Sequence, residues 1–258
     1  MKVSYATITF TLTGRVAELT LNRPEKLNAL NAATFTDIQG ALDHAETNGA
    51  RCVLLTGAGR AFCSGADLAG DGIPDDLGEP IDRLYNPLVR RIAAMDMALV
   101  TAINGPAVGA GAGLALLGDV IVMARSAYLQ LGFVNIGLVP DAGTTWLAAQ
   151  AVGRVRATEM ALLGERVDAE KALDWGLVTR IAEDETCLAD ARALALRLAA
   201  GPASIALIRK QVRGVLETSL DEALQLEREN QRTAGRTADF REGVMAFLQK
   251  RAPRFNGN

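Results

Sequence analysis

Histidine occurs once in the 258 residues of this chain, at His44. That scarcity removes several chemistries together. A His-based catalytic triad, an HExxH zinc site and a paired-imidazole metal centre all need more than one imidazole or a differently placed one. His44 itself lies near the polar end of a helical pattern, followed by Glu46 and Asn48, and reads as a surface residue. The three cysteines, Cys52, Cys63 and Cys187, lie far apart without CxxC spacing, so they read as reduced thiols of a cytoplasmic protein and not as a disulfide or zinc framework. Charge of one sign is also missing: the net charge is −3 with both signs interspersed, which argues against nucleic acid as a partner. No apolar run approaches the roughly 20 residues of a spanning helix. The opening "MKVSYATITFTL" alternates polar and apolar residues and lacks the apolar stretch of a signal peptide. The expectation is a cytoplasmic protein without a membrane partner. Ser64 in "FCSG" has Phe62 where a GxSxG elbow needs glycine, and no glycine precedes a Lys-Ser or Lys-Thr pair, so a nucleophile elbow and a Walker A loop are excluded.

What is present is enough to build one large body. A chain of this length buries roughly 70–75% of its unfolded surface and needs no staples. Ile8, Phe10 and Leu12 alternate onto one face, Thr13-Gly14 turns, and Leu19 and Leu21 alternate again, predicting a β-hairpin. Asn31 caps a predicted helix carrying Phe35, Ile38, Leu42 and Ala45 and ending near Gly49. "CVLLTG" (52–57), "LVTAI" (99–103), "DVIVMA" (119–124), "YLQL" (128–131) and "WGLVTRIA" (175–182) read as buried strands. Residues 69–80 have turn chemistry and a cluster of acids, predicting an exposed loop. Asn86-Pro87 resembles an N-cap with proline at the first helical position, and Leu88, Ile92 and Met95 follow on one face. Beyond Pro202 glycines thin out and helical patterns take over, including the capping box Ser219–Glu222. The organisation is an α/β body over residues 1–200 and a helical region over 201–258.

Two glycine-rich turns follow strands. "GAGAG" (109–113) opens a helix, but the third glycine of a dinucleotide fingerprint falls at Leu114. Close backbone packing is one reading. The other is that small residues leave main-chain N–H groups bare for an anion or a polarised carbonyl. "SGADL" (64–68) offers a second such N–H after an earlier strand. Asp141, in "IGLVPDAGTTW", stands in one of the least charged stretches of the chain. As a bare residue it reads as the N-cap of the helix that follows, as a catalytic carboxylate, or as half of an ion pair. Asp119 reads as structural. Lys26 and Arg23, in "NRPEKLNAL", read as solvated charges or as contacts to a polyphosphate.

In this order the segments "LTLNRPEKLNALN" (19–31), "LLTGAGRAFCSGADL" (54–68), "INGPAVGAGAGLALLGD" (103–119), "IGLVPDAGTTW" and "DWGLVTRI" resemble the crotonase, or enoyl-CoA hydratase/isomerase, superfamily over nearly the whole chain. "LYNPLVRRIA" (84–93), "ARSA" (124–127) and the tail from 231 to 255 resemble the branch that isomerises the ring epoxide of phenylacetyl-CoA. The resemblance implies an α/β fold: a spiral of ββα units with a C-terminal helical trimerisation region, assembled as a homotrimer or a hexamer of two trimers. It implies an acyl-CoA thioester as substrate, with coenzyme A part of that substrate and no separate cofactor or metal. By motif position the thioester oxygen would be held by the N–H groups of Ala66 and Ala110, with Asp141 as the catalytic acid-base. Arg23, Lys26, Leu27, Ala66, Asp67, Leu68, Tyr85, Gly109, Phe133 and Trp146 would contact the substrate. Phe247 and Lys250 would reach it from the tail of the same chain or of a neighbouring subunit. Leu84 and Leu88 are further candidates for the acyl-pocket wall, with 69–80 as its cover. Hydratases of the superfamily use two glutamates to activate water; here those positions hold Gly113 and Phe133. The implied activity is isomerisation, of 1,2-epoxyphenylacetyl-CoA to the oxepin or of a 3-enoyl-CoA to the 2-enoyl-CoA. An enoyl-CoA hydratase and a non-catalytic acyl-CoA-binding protein are the alternatives.

Overall fold

The computed structural model describes residues 2–70 and 74–258. The N-terminal alternation folds into the expected hairpin: β2 (Ile8–Thr13) and β3 (Val16–Leu21) pair antiparallel, with Ile8 opposite Leu21 and Thr13 opposite Val16. A short edge strand, β1 (Lys2–Ser4), precedes them. The side chain of Asn31 accepts from the Thr34 N–H and starts α1 (Ala32–Thr47), whose buried face is Phe35, Ile38, Ala41, Leu42 and Ala45.

From β3 onward the pairing turns parallel through β4 (Cys52–Gly57), β5 (Ala98–Ile103), β7 (Val120–Ala124) and β10 (Arg180–Ala182), giving a sheet in the order β1-β2-β3-β4-β5-β7-β10. β4 and β5 are buried at every position, the mark of parallel strands covered on both faces. A smaller sheet joins β6 (Ala107–Val108), β8 (Tyr128–Gln130) and β9 (Arg166–Asp168). One cover of the larger sheet is α7 (Cys187–Ala199). It presents Cys187, Ala191, Ala195 and Ala199, small side chains that let the helix lie close to the strands. No single helix among the described residues is long and apolar enough to cross a membrane.

Three expectations are corrected. The helix assigned to begin at Asn86 begins earlier: α2 (Gly78–Pro80) runs through a π-helical turn, Ile81–Tyr85, into α3 (Asn86–Ala94). The Asn86 N–H reaches the Ile81 carbonyl, five residues back. A proline in a regular helix clashes with the carbonyl four residues before it, and the wide turn ahead of Pro87 takes up that mismatch. Residues 71–73 of the expected 69–80 loop lie outside the described residues. Second, the strand assigned to 175–182 is only Arg180–Ala182, because Trp175 closes α6 (Ala169–Trp175) and Gly176 ends it in the left-handed region (φ 84°). Third, His44 is not a solvated surface residue: its Nε2 is buried, and its ring meets Phe10 edge-on at 5.3 Å.

The helical tail comprises α8 (Ser204–Gly214), α9 (Leu220–Ala234) and α10 (Ala238–Leu248), with the reciprocal capping box of Ser219 and Glu222 in place. Buried Arg209 fastens α8 to the body. It pairs with Asp119 at 2.6 Å and donates to the carbonyls of Ile92 (2.6 Å), Ala93 (3.0 Å) and Met95, the free C-terminal end of α3. Asp119 also receives the Leu99 N–H (2.8 Å) and Arg213 (3.0 Å).

Candidate active site

The site assembles at the carboxyl ends of the parallel strands, where adjacent strands send out adjacent loops. After β4, the N–H groups of Phe62 and Cys63 both donate to the Pro106 carbonyl at 3.1 Å, and Val108 N–H returns to Cys63 at 2.9 Å. The loop after β4 is thereby stitched to the loop after β5. Ala66 bridges Leu30 in parallel fashion: Leu30 donates to the Gly65 carbonyl (2.7 Å) and accepts from Asp67 N–H (2.8 Å). In such a bridge the intervening residue directs its own N–H to the opposite side. No backbone acceptor among the described residues takes the N–H of Ala66 or of Ala110. The two lie close together, since a Cβ built on Gly65 would stand 3.7 Å from the Ala110 nitrogen and 3.0 Å from the Val108 carbonyl oxygen. Gly65 sits at φ 93°, so glycine is required both by conformation and by space.

Ala110 is the first residue of α4 (Ala110–Leu116), and all seven of its residues are buried. At its start the Phe133 ring closes on Gly109, where an added Cβ would be 3.7 Å from Cζ. One helical turn later, a Cβ on Gly113 would be 2.9 Å from the Ala142 carbonyl oxygen and 3.0 Å from Thr144 Cγ2. The turn holding Asp141 is therefore seated on α4, about 4.5 Å along the helix axis from Ala110.

Asp141 is not the cap of α5 (Thr144–Leu163). Gly143 occupies the cap position with φ 74°, and no side chain caps the helix. Instead the Asp141 main-chain carbonyl accepts from both the N–H (2.9 Å) and the hydroxyl of Thr144. Its side chain is left over: Oδ1 is buried without a hydrogen-bond partner among the described residues. Burial alone pushes the carboxyl up to about 6, with no charged neighbour contributing. Three of the four non-glycine residues at positive φ among the described residues lie on these loops: Ala142 (51°) adjoins Asp141, and Leu27 (50°) and Asn28 (57°) support the Ala66 loop, while the fourth, Lys250 (53°), follows α10. The Leu27 carbonyl accepts from Ser64 N–H, and the Asn28 amide donates to the Ala58 and Ala61 carbonyls at 2.9 and 2.8 Å.

A cavity of about 270 Å³ opens beside Ala66, Asp67 and Leu68, faced by Phe35, Leu84 and Tyr85. Phe35 and Tyr85 pack at a 45° tilt with ring centroids 4.3 Å apart. Leu88, by contrast, is core. Arg23 does not offer its guanidinium to this space: it donates to Asp67 and to the Ala29 carbonyl, each at 2.6 Å. The Arg23 hydrogen bond holds the Asp67 carboxyl below its ordinary value, so the pair braces two loops. Lys26 is exposed beside them. Trp146 lines a different cavity, of about 560 Å³, with Asp119, Arg209 and Arg213. Phe247, 83% exposed, lines a third between α8, α9 and α10, and Lys250 follows it beyond α10. Within one chain, then, Ala66, Gly109, Ala110 and Phe133 come together, the turn carrying Asp141 packs on the same helix one turn on, Leu68 and Tyr85 share the adjoining cavity, Trp146 and Phe247 line other cavities, and Lys250 lies beyond α10. Sequence reading missed Asn28, Phe35 and Ala142; only Asn28 carries a signal, since asparagine tolerates the left-handed region.

An α/β body with two main-chain N–H groups, unpaired among the described residues, on adjacent loops after parallel strands, and a buried, unpartnered carboxylate on the turn packed against the same helix, is the setting that the comparisons with known proteins now place in a family. The family profile for enoyl-CoA hydratase/isomerase matches residues 11–258. The chain is 46% identical over 249 residues to the 1,2-epoxyphenylacetyl-CoA isomerase of Escherichia coli, covering 94% of this chain and 95% of that one. It is 45% identical to a probable enoyl-CoA hydratase of Rhodobacter capsulatus, covering 99% and 100%. A crystal structure of enoyl-CoA hydratase from Bacillus anthracis superposes with a TM-score of 0.93 at 29% identity, covering 98% of this chain and 100% of that one. This chain belongs to the enoyl-CoA hydratase/isomerase family and has the crotonase fold.

Proposed function

We propose that this protein is an acyl-CoA isomerase working with one carboxylate. The thioester oxygen accepts hydrogen bonds from Ala66 and Ala110 N–H. Asp141 removes a proton from C2 of a 3-enoyl-CoA, and the C–H electron pair moves into the conjugated system, placing negative charge on the oxygen. The protonated Asp141 then delivers that proton to C4, leaving the double bond between C2 and C3. The same oxyanion site would assist opening of the ring epoxide of phenylacetyl-CoA to the oxepin. The observation that carries the reading is the buried, unpartnered oxygen of Asp141. Addition of water is disfavoured because Phe133 closes one hydratase position and the turn at Ala142–Thr144 fills the space a side chain at 113 would need.

The proposed substrate contacts are Leu27, Leu68, Tyr85, Gly109 and Phe133, with Lys26 near the phosphates of coenzyme A, which arrives as part of the substrate; no cofactor is required. The proposed assembly is a homotrimer or two stacked trimers in the cytoplasm. It is supported by the exposure of Val139 (80%), Leu220 (75%), Phe247 (83%) and Leu248 (69%), apolar surface of the kind that marks subunit contacts. Phe247 and Lys250 would meet substrate across such a contact. Purified protein given 1,2-epoxyphenylacetyl-CoA, a 3-enoyl-CoA and a 2-enoyl-CoA in parallel should isomerise at least one of the first two far faster than it hydrates the third. Faster hydration of the 2-enoyl ester would select a hydratase, and tight binding without turnover an acyl-CoA-binding protein.

A further inference from the structure

We infer that Ala142 is a positioning residue, whose methyl group, seated on Gly113, aims the Asp141 carboxylate at the space in front of the Ala110 N–H. The inference rests on the proposal that Asp141 is the base. Ala142 holds φ 51° and is followed by Gly143 at φ 74°. At the first of these two left-handed positions glycine would fit without strain, yet the residue carries a Cβ. That Cβ is buried, with Ala142 3% exposed, and lies 3.2 Å from where a Cβ on Gly113 would be. The methyl therefore fills the hollow that the missing side chain of Gly113 leaves on α4. Asp141 is fixed from both sides: Thr144 grips its carbonyl, and the next residue is pinned to the helix that begins at Ala110. The geometry trades left-handed strain at Ala142 for a defined position of the neighbouring carboxylate.

The test is Ala142→Gly, assayed on 3-hexenoyl-CoA beside wild type, Gly113→Ala and Asp141→Asn. Ala142→Gly should lower kcat tenfold or more with KM within threefold. It should also move the acid limb of the kcat/KM profile down from about 6 toward the ordinary carboxylate range, as a freed Asp141 becomes solvated. Its Tm should fall by no more than about 4 °C, because relief of strain offsets part of the added unfolded-state entropy and of the packing lost with the buried methyl. Gly113→Ala should reproduce the kinetic loss, with a lower Tm from its clash with the Ala142 carbonyl. Wild-type kcat and acid limb in Ala142→Gly, with Asp141→Asn inactive, would overturn the positioning role alone. Loss of activity with a larger fall in Tm and an unmoved acid limb would overturn it too, assigning Ala142 to the fold. An active Asp141→Asn would instead overturn the proposed function.

Discussion

An ionised carboxylate in an apolar setting is costly, and Asp141 exhibits that cost without a compensating partner among the described residues. Two consequences have opposite signs. For activity, a base must be unprotonated, so kcat/KM for isomerisation should fall as pH drops below about 6 and level off above it; a rate profile from pH 4.5 to 8.5 checks this. For stability, a carboxyl whose folded value is raised binds its proton more tightly when folded. Its destabilisation is absent below the unfolded value near 3.8, grows between there and about 6, and is full at pH 7. Asp141→Asn should therefore stabilise the fold at pH 7 by about 2 kcal/mol after discounting for partial exposure, a Tm rise of roughly 4–8 °C. Thermal melts should show that gain vanishing near pH 4. At this scale the sequence conceals more than it reveals. Asp141 before a helical run looks like a cap, and only the left-handed pair Ala142–Gly143, which delays the helix to Thr144, detaches its side chain from that duty.

The helical run from Gly78 to Ala94 is the element that carries Leu84 and Tyr85 to the cavity, and its two ends are held differently. At its start the π turn accommodates Pro87. At its far end Arg209 saturates the carbonyls of Ile92, Ala93 and Met95 while paired to Asp119. Burial pulls the Arg209 guanidinium below its ordinary value against the opposing pull of Asp119, so removing it strands both the carboxylate and the helix end. Arg209→Met should cost roughly 3–5 kcal/mol, read as a lower urea midpoint, because a broken buried pair leaves an uncompensated charge. The remaining Arg213–Asp119 pair sets that cost at the lower side of the range. Elements with strong period and clear caps were legible: the β2–β3 hairpin, α1 behind Asn31, β4, β5 and the capped α9. The misplaced start at Asn86 has a physical cause, since a π turn leaves no periodicity to read. β6 and β9 are too short, at two and three residues, to show alternation.

Across the whole molecule, the parallel order β3-β4-β5-β7-β10 decides where chemistry can occur, because it sends the loops carrying Ala66 and Ala110 out side by side. Nothing in the spacing of "SGADL" and "GAGAG" shows that they meet; likeness to a known family supplied that pairing, and stitching through Pro106 and Cys63 provides its physical basis. The scattered positions of Trp146, Phe247 and Lys250 reflect a fold whose helical tail leaves large apolar surfaces uncovered within one chain. Light scattering on purified protein should accordingly give a mass of three or six chains of 27.3 kDa. The most direct measurement is kcat/KM of Asp141→Asn against wild type on 3-hexenoyl-CoA at pH 8. A fall of about 10²-fold or more, with the fold intact, is the result expected of a lone acid-base group; activity within threefold of wild type would contradict it.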